Sequence, residues 1–198
     1  MEYFTKPAVI LTLLVWLLSV GGYTGQMVWF MLGLIFSLAG DILLLLPAER
    51  FISAWFTFLL TQLCYVLGFN PTLPPLNSAT LLIAIIVGLV SFRLARIILV
   101  GLKSSGNSNL QIHISIYSLT ISVMVLSALL TLVRPDWLEG PALMVSAGGI
   151  LFFISDAVLA LHRFVAPIQR SELLVMITYH GGQVLIITGS YLHYILLA

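Results

Sequence analysis

Apolar runs recur along the whole chain, and seven of them are long enough to cross a bilayer: 7–23, 26–46, 51–69, 78–100, 110–133, 141–161 and 172–197. A spanning helix needs about 20 mostly apolar residues, within a range of roughly 17–25. Helix breakers separate the runs: Gly21-Gly22, Pro47, Asn70-Pro71 with Pro74-Pro75, the polar stretch Lys103–Asn109, Arg134-Pro135-Asp136 and Pro167. In a hydrocarbon core each backbone N–H and C=O must be satisfied within the chain, so runs of this kind form helices. The pattern predicts an all-α, polytopic transmembrane helical bundle of about seven spans, one domain over residues 1–198. The loops are short. Any site must therefore lie inside the bundle or at its rim.

Composition narrows the function classes. Hydrophobic residues make up 61% of the chain and charged residues only 8%, against roughly 25% charge in a soluble domain. A net charge of +1 provides no basic field to hold nucleic acid. The single cysteine, Cys64, has no internal partner and says nothing about redox compartment. The first window resembles a signal peptide, with Lys6 ahead of an apolar run and small residues near Ser19. Six more spans follow it, so it is read as a retained first span.

Positive charge orients the bundle. With seven spans, Lys6, Arg50, Arg93, Arg96, Lys103, Arg163 and Arg170 fall on one side and Arg134 alone on the other. The N-terminus is expected in the cytoplasm.

Two carboxylates stand inside spans. Asp41 and Asp156 each lie five residues before the inner end of spans two and six, about 7–8 Å inside the membrane at 1.5 Å per residue. A carboxylate there costs about 2.5–3.5 kcal/mol on insertion scales, which makes it a functional candidate. Pairing with Lys6 or a rim arginine is the structural alternative. Gln62 with Tyr65 on span three, and Tyr179 with Gln183 on span seven, put polar faces in the same half, with His180 beside them and Ser37 one turn before Asp41. Such residues also serve as interhelical glue. Together they predict a wet pocket open toward the cytoplasm. A short echo, Gly40-Asp41-Ile-Leu-Leu44 and Ser155-Asp156-Ala-Val-Leu159, fits a parallel internal repeat.

Other chemistries find no support. Span seven holds no lysine for a retinal Schiff base, and no phosphate loop, Gly-x-Ser-x-Gly elbow or His-Glu-x-x-His motif occurs. His113, His162, His180 and His193 are scattered, so no metal site is expected. His162 and His193 read as solvated or interfacial, and His113 with Tyr117 as a polar seam on span five. Trp16, Trp29, Trp55 and Trp137 read as interfacial or packing aromatics.

Phe4-Thr5-Lys6-Pro7, Gly40-Asp41-Ile-Leu-Leu-Leu-Leu-Pro47, the Phe58…Tyr65 helix, Leu151-Phe-Phe-Ile-Ser155-Asp156-Ala-Val-Leu-Ala160 and Thr178-Tyr179…Gln183-Val-Leu-Ile186 resemble the YhhN family, in order, from about residue 4 to 190. Members of that family include lysoplasmalogenases, multi-pass enzymes that cleave the vinyl ether bond of lysoplasmalogens to a fatty aldehyde and a glycerophospho-base. The resemblance implies that Asp41 and Asp156 are catalytic. On that reading Gln62, Tyr65, Tyr179, His180 and Gln183 are expected to line the substrate site, Tyr179 and Gln183 orienting water or the glycerol backbone, and Lys6 and Arg50, on the cytoplasmic rim, to hold the phosphate, with Arg163 a third candidate. This chain departs from the family in carrying Gln62 where His is common and His180 where an aromatic is usual. Family members often have eight spans, and this chain is expected to lack the first. The expected partners are a lysophospholipid substrate and the bilayer, with no cofactor, in a cell membrane of bacterial inner-membrane type and with the site in its cytoplasmic half. Vinyl ether hydrolysis needs a proton donor and a nearby anion, roles that two carboxyls can divide as in glycosidases. The rival readings are a small proton-coupled carrier with the aspartates as relay, and a non-catalytic lipid-binding protein.

Overall fold

The computed structural model describes residues 2–46, 51–106 and 108–195. Among them are seven long helices and no strand: α1 (Glu2–Ser19), α2 (Met27–Leu44), α3 (Phe51–Phe69), α4 (Ser78–Ser104), α5 (Gln111–Leu130), α6 (Glu139–Phe164) and α7 (Ser171–Tyr194). Six of them, α2 to α7, are long and apolar enough to cross a membrane, and α1 contributes a shorter apolar segment, Pro7–Ser19. The chain is a multi-pass helical membrane protein.

The helices fall between the breakers read from the sequence, with shifts at some ends: α4 runs past Val100 to Ser104, into the polar stretch, and α6 past Leu161 to Phe164. The first window was expected to run from Pro7 to Tyr23, whereas α1 runs from Glu2 to Ser19 with Pro7 inside it. Gly21, at φ 77°, takes a left-handed conformation that glycine adopts without cost, and this turn ends the helix early. At the start of α4 the Asn77 side chain accepts from the Thr80 N–H at 2.8 Å, satisfying one of the orphan donors of a helix start.

Short connections fold successive helices back on one another. The end of α2, the starts of α3, α5 and α7, and the end of α6 therefore share one end of the bundle. The far end is closed by Arg134, only 4% exposed, which donates to Asn70 Oδ1 at 2.6 Å and to Thr72 Oγ1 and O at 3.1 and 3.0 Å. There, too, the His193 ring stacks on Trp137 at 3.9 Å. His193, expected to be solvated or interfacial, is half-buried with its Nδ1 enclosed and without a partner, because the Trp137 ring covers it. His162 is exposed as expected.

Close backbone approach holds the central helices. A Cβ added to Gly148 would lie 2.8 Å from the Gly182 carbonyl oxygen, and one added to Gly182 would lie 2.9 Å from that of Gly148. Small residues let α6 and α7 meet this closely, which is how membrane helices gain packing without a hydrophobic effect between them. The fully buried Phe30, Tyr65, Phe69 and Phe152 belong to the core that α2, α3, α5, α6 and α7 surround. In contrast, only 6% of the apolar window of α4 is buried, against 39–44% for the other five. Helix α4 is an outer wall.

Candidate functional site

Asp41 and Asp156, on α2 and α6, line one open cavity. Trp55 and Phe58 of α3, Tyr117 of α5 and Tyr179 of α7 supply its aromatic wall. Antiparallel packing explains the convergence, because each of these residues lies within a few turns of the same end of the bundle. A second open cavity lies between α4, α5 and α6, and Trp55, Tyr117, Asp156 and Leu159 line both. Asp156 thus stands where the two cavities meet, whereas Asp41 borders only the first.

The two carboxyls have different neighbours. Oδ2 of Asp156 accepts from the Tyr117 hydroxyl at 2.6 Å and from Gln62 Nε2 at 3.1 Å. Tyr117 is held by the Trp55 ring, stacked on it at 4.7 Å between centroids and 16° between planes. Asp41, 2% exposed, accepts on Oδ2 from the Tyr179 hydroxyl at 3.2 Å. The rings of Phe58 and Phe152 meet Tyr179 edge-on at 5.9 and 5.6 Å, which fixes where that hydroxyl points. Bonds of this kind to a carboxylate are the stronger class of hydrogen bond.

A polar chain lies one turn from Asp41, toward the middle of the bundle. Gln183 Nε2 donates to Ser37 Oγ at 2.8 Å, and Tyr65 donates to Gln183 Oε1 at 2.5 Å. The Ser37 and Thr61 hydroxyls are 3.1 Å apart, and Thr61 also reaches the carbonyls of Gly33 and Thr57. Tyr65 fits because Gly33 has no side chain, since a Cβ there would strike the phenol ring. Each linked group inside the bundle is satisfied, as a low-dielectric setting requires. Beside Asp156, Gln62 is not: its Oε1 is buried with no hydrogen-bond partner, as are the Ser91 and Ser190 hydroxyls elsewhere in the bundle.

The sequence-predicted residues therefore separate into three sets. Asp41, Asp156 and Tyr179 line the cavity, and Gln62 reaches it through its bond to Asp156. Tyr65 and Gln183 are wholly buried and lie outside both cavity walls. His180 also stands outside both walls, half-buried with its ring 5.1 Å from that of Tyr179. The Lys6 side chain and Arg50 lie outside the described residues. Among the described residues, no three His, Cys, Asp or Glu side chains cluster as metal ligands.

Two wall residues were read otherwise from sequence. Tyr117 was expected to share a polar seam with His113, but His113 is exposed while Tyr117 is buried against Asp156. Trp55 was read as an interfacial or packing aromatic, yet it lines both cavities. The signal that could have found Tyr117 is depth. It lies seven residues inside span five, about 10 Å from that span's start, close to the level assigned to the aspartates.

The chain matches the model of the YhhN family over residues 1–190. It is 31% identical over 180 residues to a pig protein named lysoplasmalogenase TMEM86B, covering 89% of this chain and 70% of that one. It is 29% identical over 157 residues to human lysoplasmalogenase TMEM86A, covering 78% of this chain and 61% of the relative. To a Mycobacterium tuberculosis lysoplasmalogenase it is 24% identical over 165 residues, 82% of this chain and 60% of the relative. No solved structure matches the chain.

Proposed function

We propose, starting from the fact that the chain belongs to the YhhN family, that it is a hydrolase cleaving the vinyl ether bond of a lysoplasmalogen or a closely related lysolipid. The relatives named lysoplasmalogenase support the substrate class. The observation that carries the reading is the meeting of Asp41 and Asp156 in one largely apolar cavity.

The chemistry asks for a proton delivered to carbon. Asp156, with Oδ2 engaged by Tyr117 and Gln62, gives the proton on its other oxygen to the alkenyl carbon β to the ether oxygen. The double bond is consumed, and an oxocarbenium ion forms at the carbon that bears the oxygen. The two donors then stabilise the carboxylate left behind, and that carboxylate faces the cation. Asp41 takes a proton from water as the water adds to the cationic carbon, giving a hemiacetal. In the collapse Asp156 regains a proton from the hemiacetal hydroxyl, Asp41 gives its proton to the departing ether oxygen, and the carbon–oxygen bond breaks. A fatty aldehyde and a glycerophospho-base leave, and both carboxyls return to their starting forms. Positioned acid–base groups contribute roughly 10²–10⁴-fold each. The site would face the cytoplasm, the side to which seven of the eight cations fall by loop position.

The test is aldehyde release from an ethanolamine or choline lysoplasmalogen by detergent-purified protein, run beside Asp156→Asn and Asp41→Asn of equal monodispersity. Release by the wild type and its loss in Asp156→Asn is the expected result. Wild-type protein inert on both headgroups would remove this function and leave the fold.

A further inference from the structure

The cavity that Asp41 does not border is the more informative of the two. It runs between α4, α5 and α6 from Phe164 and Arg163, at the end of α6, to Ile121, Ser122 and Ser91 near mid-helix. Along α6 this is a groove of about 16 Å between Phe153 and Phe164 at 1.5 Å per residue. Its outer wall is α4, whose other faces carry exposed Leu82, Ile86, Leu89 and Phe92. The groove is thus separated from lipid by one helix that packs little against the rest. Its walls are mostly apolar, small side chains such as Ala95 and Ala157 leave it its width, and charge enters at two points only, Asp156 and Arg163.

Those two points have the spacing of a lysolipid head. Asp156 and Arg163 lie seven residues apart on α6, about 10 Å along the axis. A three-carbon glycerol and its phosphate ester, met by an arginine side chain, spans that interval. Beyond Asp156, in the other direction, the groove offers only apolar wall and hydroxyls toward mid-bilayer.

We propose that this groove seats the lysolipid lengthwise: phosphate on Arg163, ether bond at Asp156, and hydrocarbon chain running along α4 and α5 past Ile121 and Ser122. The seat rests on the lysolipid reading above. The lipid keeps the orientation it has in the leaflet, and it enters sideways between α4 and its neighbours without leaving the membrane. Trp55 and Tyr117 then form the partition across which Asp156 faces the first cavity, and water reaches the ether carbon from the Asp41 side.

The probe is a saturated 1-O-alkyl lysophosphocholine carrying a diazirine at the chain terminus, which resists cleavage because it has no double bond to protonate. Irradiated with the full-length protein in nanodiscs, it should label peptides containing Ser91 and Ile121-Ser122. Excess unlabelled 1-O-alkyl lysophosphoethanolamine should suppress the label far better than phosphate-free 1-O-alkylglycerol. Arg163→Gln should weaken labelling about tenfold, as loss of a charge-assisted contact does. Ser91→Phe, which fills the deep end, should shift preference toward shorter chains. Label concentrated on Leu44 and Met176 would overturn the seat, as would uncompeted label on the outward face of α4 or indifference to Arg163→Gln. Aldehyde release is read separately on the vinyl ether substrate. Groove labelling without turnover would sink the reaction and keep the seat, while turnover with labelling elsewhere would sink the seat alone.

Discussion

Asp41 and Asp156 look interchangeable in the sequence, each preceded by a small residue and followed three residues on by leucine. The folded bundle makes them different. Asp41 borders a single cavity and meets the Tyr179 hydroxyl at 3.2 Å, one turn from the hydroxyl and amide chain of Ser37, Thr61, Gln183 and Tyr65. Asp156 stands at the junction of two cavities, with one oxygen gripped by a phenol and an amide from α5 and α3. A carboxyl with one oxygen held and access to two chambers is suited to pass a proton to a bound lipid. A carboxyl beside a fixed polar network is suited to orient water. The lesson is that a repeated motif marks where charge enters a membrane bundle, while its role comes from what the neighbouring helices bring.

The largest effect should come from Asp156→Asn, which removes the proposed proton donor. Aldehyde release is expected to fall by about 10³-fold or more, measured on protein whose size-exclusion profile matches wild type. Asp41→Asn should cost less, about 10²-fold, because water adds readily to an oxocarbenium ion once that ion exists. A reversed order would exchange the two roles, and equal losses below tenfold would dissolve the distinction.

Tyr117→Phe comes next. It leaves the stack on Trp55 in place and deletes only the hydroxyl that bonds Asp156 at 2.6 Å. A hydrogen bond to a charged group is worth about 1.5–3 kcal/mol, so kcat should fall roughly 10–100-fold. The change should fall on kcat with KM little altered, since the phenol is assigned to stabilising the carboxylate that forms during reaction. A rise in KM alone would assign Tyr117 to binding.

The sequence made the fold legible because each span is punctuated. Pro47 follows the end of α2 and Asn70-Pro71 the end of α3, and the breakers at 134–136 separate α5 from α6. It did not reveal which helix is the wall. Helix α4 is as apolar as its neighbours, yet its face meets lipid where theirs meet protein. Hydropathy cannot separate those two environments because lipid tails are as apolar as a packed core. The aspartates were legible because charge in a membrane helix is rare and expensive. Tyr117 and Trp55 were not, because aromatics abound in spans at interfaces and in packing. Arg134 was read as an outer charge and is a nearly buried clamp on the loop after α3. Only the distance between two loops shows that.

Gln62 gives the smallest effect and separates activity from stability. Its amide nitrogen donates to Asp156 at 3.1 Å, but its oxygen is buried with no partner. An unsatisfied buried acceptor costs about 1–3 kcal/mol, comparable to what one donated bond to a carboxylate returns. Gln62→Leu removes both at nearly constant volume, so no cavity is left behind. Turnover should drop about threefold to tenfold, because Tyr117 still holds the same oxygen. The thermal midpoint should hold or rise, since the orphan oxygen disappears together with the bond. A midpoint that fell by several degrees would mean that the oxygen is satisfied in the membrane, with water as its natural partner in so polar a corner. In that case water would reach both carboxyls, and the contrast between Asp156 and Asp41 would narrow to the phenol and amide that hold one oxygen of Asp156.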